Sequence, residues 1–140
     1  MHFEYKLYEG DFANAGSASS AVKRTLKQLN VDASIIKRVV VALYEAEVNA
    51  IAHAYGGDIL VDIDSEKIHI KVADVGPGIP DIEKAMTVGF STASQKVRDM
   101  GFGAGMGLPN IKNNVDDMQI ATEIGKGTEI CMMVLLAPKS

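Results

Sequence analysis

Glu45-Ala46-Glu47-Val48-Asn49-Ala50-Ile51-Ala52-His53-Ala54-Tyr55 is the stretch on which the fold turns. It ends a segment, residues 33–54, whose apolar residues recur at helical spacing. Glu45, Asn49 and His53 stand one turn apart, within an arc of about 80° on one helix edge. Ile36, Val39, Val40, Leu43, Ala46, Ala50 and Ala54 fill the neighbouring arc, which is predicted to face a core. Three polar groups therefore border the core where a ligand can reach them. A solvated helix edge explains such a triplet as well. Glu47 falls inside the apolar arc, and the periodicity gives it no role.

Working outward, residues 3–8 alternate apolar and polar as a half-buried strand does. A helix is expected over residues 18–29, capped by Ser17, Ser19 or Ser20 and broken at Val31-Asp32. Gly56-Gly57 is expected to close the long helix. Residues 59–63 and 68–72 read as two strands joined by a hairpin turn at residues 64–67. Beyond Asp74 come a short helix at residues 82–86, a glycine-rich loop over 89–107 and a helix over 108–115. Strands at 118–124 and 128–136, joined by Gly125-Lys126-Gly127, complete the order β-α-α-β-β-α-α-β-β. Short turns between strand pairs imply an α+β two-layer sandwich: a mixed, mostly antiparallel sheet with helices on one face.

Three more segments carry chemistry. Asp74-Val75-Gly76-Pro77-Gly78-Ile79 follows a strand, and a carboxylate at a strand end can accept a hydrogen bond from an exocyclic amine. Its glycines let a flat ring approach the backbone, although an ordinary Gly/Pro turn fits the same residues. Gly101-Phe102-Gly103-Ala104-Gly105-Met106-Gly107-Leu108 opens a helix, where backbone N–H groups and the helix dipole can cradle phosphate. It follows a loop rather than a strand, against a dinucleotide-binding turn, and no P-loop pattern is present. Gly125-Lys126-Gly127-Thr128 could bring a threonine hydroxyl to a base, or be a plain hairpin turn.

Composition narrows the classes. The 140 residues leave room for one domain spanning 1–140. With 14 Lys+Arg against 18 Asp+Glu, the net charge of −4 carries no basic surplus for nucleic acid. The absence of Trp argues against a stacking platform for single strands. No apolar run reaches the length of a membrane span, and no signal peptide is visible. The one cysteine, Cys131, fits a small core residue in a reducing compartment, and the cytoplasm is expected.

Taken together and in order, the four segments resemble the N, G1, G2 and G3 boxes of the GHKL (histidine-kinase-like) ATPase superfamily, whose domain is the Bergerat-type ATP-binding fold. Residues 45–55 resemble the N-box of the SpoIIAB/RsbW anti-sigma factor serine kinases. Residues 74–92 and Gly105-x-Gly107-Leu108-Pro109 resemble the RsbT branch. The resemblance implies that Mg²⁺ and ATP are bound. Asn49 would hold the metal, and Glu45 would be the catalytic carboxylate facing the attacking serine. Asp74 would read adenine, supported by Gly76, Gly78, Ile79 and Thr128. Gly103, Gly105, Met106, Gly107 and Leu108 would cradle phosphate, and His53 would join the pocket.

The implied activity is that of a serine/threonine protein kinase acting on a STAS-type anti-anti-sigma protein. A sigma factor or other regulator is a second expected partner, and a homodimer a possible assembly. The alternative is a nucleotide-gated module that binds a sigma factor or regulator with little turnover. The lid-like stretch 93–101 is longer than in the RsbT branch; its Lys96 and Arg98 read as solvated lid charges or as neutralisers of γ-phosphate. Lys23, Arg24 and Lys27 read equally as a solvated helix face or as a partner surface.

Overall fold

Residues 1–79, 86 and 107–136 are described by the structure, a computed structural model. Alternation in the sequence becomes five strands: β1 (His2–Tyr8), β2 (Gly56–Ile63), β3 (Lys67–Val75), β4 (Asp117–Glu123) and β5 (Gly127–Leu135). Helical spacing becomes α1 (Ser17–Gln28), α2 (Ala33–His53) and α3 (Gly107–Asn114), with a short 3-10 turn at Phe12–Asn14. The sheet runs β1-β2-β3-β5-β4, and all four of these pairings are antiparallel. The expected helix at 82–86 lies, apart from Met86, outside the described residues, as does the glycine-rich stretch up to residue 106.

The two-layer arrangement follows from the period of two in the strands. Ile59 and Val61 on β2, Ile68, Ile70 and Val72 on β3, and Ile130, Met132 and Val134 on β5 all point into one core. Val22 and Leu26 of α1, Val39 and Leu43 of α2 and Ile111 of α3 meet them from the helical layer. Each such burial contributes about 1.5–3 kcal/mol. The alternate strand positions, among them His69, Asp62 and Gln119, are exposed on the other face. All seven residues predicted to face the core from the long helix do so, six buried and Val40 partly.

Helix ends depart from expectation in two places. No serine caps α1: its N-cap is Gly16, in the left-handed region at φ 93°, with no side-chain cap of its own. The hydroxyls of Ser17 and Ser19 instead donate to the carbonyls of Asn14 and Gly16. The free N–H groups of α1 are taken by Glu47, reaching from α2. Gly16, Ala18 and Ser19 donate to its carboxylate at 3.0, 3.3 and 3.3 Å. The residue that periodicity left without a role is thus a buried cap for a neighbouring helix, favoured by the positive end of the α1 dipole. Burial pushes its pKa up, and the three N–H donors pull it back.

Gly56-Gly57 also does not close α2, which ends at His53; the two glycines begin β2. Gly57 stands opposite Asp74, and a Cβ there would lie 2.5 Å from the Ala73 carbonyl oxygen. The strands pass too closely for any side chain at that point.

Candidate functional site

One edge of α2 carries Glu45, Asn49 and His53, each half-buried. Glu45 Oε1 accepts a hydrogen bond from Asn110 Nδ2 at 3.3 Å. A Cβ on Gly107 would lie 3.6 Å from Glu45 Oε2. The first residue of α3 therefore abuts this carboxylate, in the turn whose N–H groups have no partner inside the helix. Buried Leu108, Pro109 and Ile111 fix α3 there, and Asn114 Nδ2 donates to the Asn110 carbonyl at 2.7 Å. Leu108 is a core residue, so any contact it makes with a ligand would come from its backbone. Burial holds His53 below its ordinary 6.5, which favours the neutral imidazole.

Asp74 sits near the end of β3 on the core face of the sheet. Its Oδ1 accepts from the Thr128 N–H at 2.9 Å, and burial raises its pKa against that bond. Its flanks are closely packed by backbone that only glycine permits: Gly57 is opposite on β2, and a Cβ on Gly127 would collide with the Asp74 carbonyl. The Thr128 hydroxyl, buried beside it, shares a hydrogen bond with the Thr122 hydroxyl at 2.9 Å.

The loop after Asp74 is laced onto the β4–β5 turn. Gly76 N–H donates to the Lys126 carbonyl, Gly125 N–H to the Pro77 carbonyl, and Ile79 N–H to Thr122 Oγ1. Gly78 has φ 80°, and a Cβ there would lie 2.7 Å from the Glu123 carbonyl oxygen, so only glycine serves. Gly76 meets the end of α2, where its Cβ would be 3.0 Å from Ala54 Cα. That contact, with the Tyr55 N–H donating to Val75, joins the two halves of the site.

The structure thus gathers Asp74, Gly76, Gly78, Ile79 and Thr128 at one strand end, and Glu45 with Gly107 at the start of α3. Asn49 and His53 lie along the helix edge between Glu45 and the Ala54 contact. Gly103, Gly105 and Met106, with Lys96 and Arg98, lie outside the described residues. Sequence reasoning missed Asn110 and Thr122. Thr122 was findable, since hairpin register sets it opposite Thr128; Asn110 carried no signal until α3 was seen against α2.

Chemically, one end offers a fixed carboxylate with a hydroxyl beside it, suited to an amine on a flat ring. The other sets a carboxylate beside a helix N-terminus, suited to an anion with a proton acceptor at hand. Among the described residues, no helix is long and apolar enough to cross a membrane.

Comparison with known proteins bears on this geometry. The family model described as histidine kinase-like ATPase domain matches residues 9–134. An anti-sigma F factor from Geobacillus stearothermophilus is 32% identical over 136 residues, covering 93% of this chain and 88% of its own. The serine/threonine-protein kinase RsbT of Bacillus subtilis is 36% identical over 97 residues, 66% of this chain and 67% of its own. Among solved structures, the RsbU and RsbW domains of a Mycobacterium tuberculosis protein superpose with a TM-score of 0.66 at 16% identity. That match covers 99% of this chain, which spans 33% of the longer one. At this identity the likeness speaks for the fold.

Proposed function

The chain belongs to the histidine kinase-like ATPase family, and from that premise we propose that it is an anti-sigma-type serine kinase. In this reading it transfers the γ-phosphoryl group of ATP to a serine of a STAS-type anti-anti-sigma protein. The observation that carries it is the Glu45 carboxylate held against the first turn of α3 by Asn110. A phosphate drawn to the N–H groups of that turn lies beside a group able to take a proton.

Asp74 accepts the adenine amino group, with the Thr128 hydroxyl alongside. Gly76, Gly78, Ile79 and His53 take part in holding the nucleotide. Gly107 and Leu108, with Gly103, Gly105 and Met106, offer backbone N–H groups to the phosphates. Asn49, one turn from Glu45, supplies the hard oxygen ligand that magnesium prefers. Magnesium when bound neutralises phosphate charge. As the serine oxygen bonds to the γ-phosphorus, the bond to the β-phosphate oxygen breaks and the serine proton passes to Glu45. Positioning supplies most of the rate.

The domain acts within 1–140 in the cytoplasm, with a sigma factor as its second partner and a homodimer as its working assembly. Incubation with γ-labelled ATP, magnesium and candidate STAS proteins should label a serine. Intact ATP binding with no transfer to any candidate would overturn the kinase reading. Regulation that survives Glu45→Gln would mark a nucleotide-gated binder instead.

A further inference from the structure

Helix α3 is eight residues long, too short to stand alone, so its place is set by what holds it. Its first residue abuts Glu45, and its last, Asn114, is held by another side chain of α2. Arg38 Nε donates to the Asn114 carbonyl at 3.1 Å, and Arg38 Nη2 reaches Asp116 Oδ1 at 3.1 Å. Asp116 is itself tied to β5: its Oδ2 accepts from the Leu135 N–H at 2.8 Å, and its own N–H donates to the Met133 carbonyl. A guanidinium suits this place. Its planar fork reaches two acceptors at once, and its charge faces the negative end of the α3 dipole.

Arg38 and Glu45 are seven residues apart on α2, two turns along and nearly in line. Asn110 and Asn114 are one turn apart on α3, and Asn114 Nδ2 donates to the Asn110 carbonyl at 2.7 Å. Two polar rungs therefore join the helices, Arg38 on Asn114 at one end and Asn110 on Glu45 at the other. Buried Leu108 and Ile111 add attraction between them but little register, because the hydrophobic effect is non-directional. The rungs decide where α3 stops along α2.

We propose that Arg38 is a positioning residue for phosphoryl transfer, fixing α3 along α2 and so the separation of the Glu45 carboxylate from the N–H groups that open α3. The proposal rests on the kinase reading of the site. A phosphate bound to those N–H groups moves with α3, whereas Glu45 stays on α2. Slippage of α3 leaves nucleotide affinity nearly intact and spoils the geometry of transfer, where a displacement of about 1 Å can cost about 100-fold.

Arg38→Met tests this, since it keeps the packing of a long stem and removes every donor. With ATP, magnesium and a STAS protein that the parent labels, kcat should fall about tenfold, while KM for ATP and calorimetric ADP affinity stay within about twofold. Asp116→Asn, which keeps Arg38 and removes its partner charge, should show the same split at about threefold. Arg38→Met combined with Asn110→Ala should lose less than the product of the two single losses, because both act on α3. Without nucleotide, Arg38→Met should shift the amides of Gly107, Leu108 and Asn110 and leave those of Asp74 and Thr128 unmoved.

Parental kcat in both single variants overturns the proposal, as does a loss confined to KM or a double variant whose losses multiply. If the parent binds ATP and labels no STAS protein, the kinase reading fails and the amide signals decide alone. Unmoved signals at Gly107, Leu108 and Asn110 then overturn the hold of Arg38 on α3, and moved ones sustain it.

Discussion

Glu45 and Glu47 are two residues apart on one helix and have opposite fates. Glu47 is 2% exposed and accepts three backbone N–H bonds from the start of α1. Glu45 is half-buried, with Asn110 as its one described hydrogen-bond partner and an oxygen turned toward Gly107. Two residues along an α-helix is a turn of about 200°, so the pair looks to opposite sides of α2. One side closes on α1; the other meets the start of α3. A carboxylate saturated with N–H donors holds the fold together, and one left with acceptor capacity can take part in chemistry.

The largest effect that could break this contrast is on catalysis. Glu45→Gln should lower phosphoryl transfer by about 10²–10⁴-fold, the usual worth of a positioned proton acceptor, with the urea midpoint nearly unchanged. Radiolabel transfer and an unfolding curve on the same preparation give both numbers. Glu47→Ala should do the reverse. Three N–H groups would be left buried and unpaired, and stability should drop by about 3 kcal/mol in urea unfolding. The fraction still folded should bind ATP normally. If Glu47→Ala proved as stable as the parent, the cap would be ornamental and the contrast would fail.

Asp74→Asn sharpens the comparison at the far end of the site. The amide would keep the Thr128 N–H bond but present a donor to the adenine amine. Calorimetry should show ATP binding weakened by about 1.5–3 kcal/mol, roughly 10–100-fold. Asn110→Ala removes one hydrogen bond to Glu45 and should slow transfer about fivefold, with the KM for ATP unchanged. A change in KM alone would show that Asn110 serves binding rather than orientation.

The smallest effect concerns His53, whose pKa burial holds below its ordinary 6.5. The unfolded chain then takes up this proton first, so stability rises with pH across that window. The contribution is complete above about pH 6.5 and is lost as pH falls from there toward the folded value. Melting curves at pH 7.5 and 5.5 should separate less in His53→Gln than in the parent. Identical separation would remove His53 from the account.

Strands β1, β2, β3 and β5 were legible because each buries one face, and a period of two writes that directly into the residues. The Glu45–Asn49–His53 edge was legible for the same reason at a period of 3.6. Asp74 stood out through its glycine neighbours, yet the Thr128 N–H bond that fixes it joins residues 54 positions apart. Gly56-Gly57 misled because a glycine pair ends a helix and permits close strand passage equally well; only the pairing with β3 decides.

What the sequence by itself determined was the set of amphipathic elements, their order, and which polar residues interrupt them at one helix edge, one strand end and one helix start. Those are local properties, carried by side-chain period and backbone freedom. What the tertiary structure decided was who meets whom: Glu47 under α1, Asn110 on Glu45, Thr122 on Thr128. Such meetings depend on how far and at what angle the elements pack, and a carboxylate's role follows from the donors that surround it rather than from its neighbours in the chain.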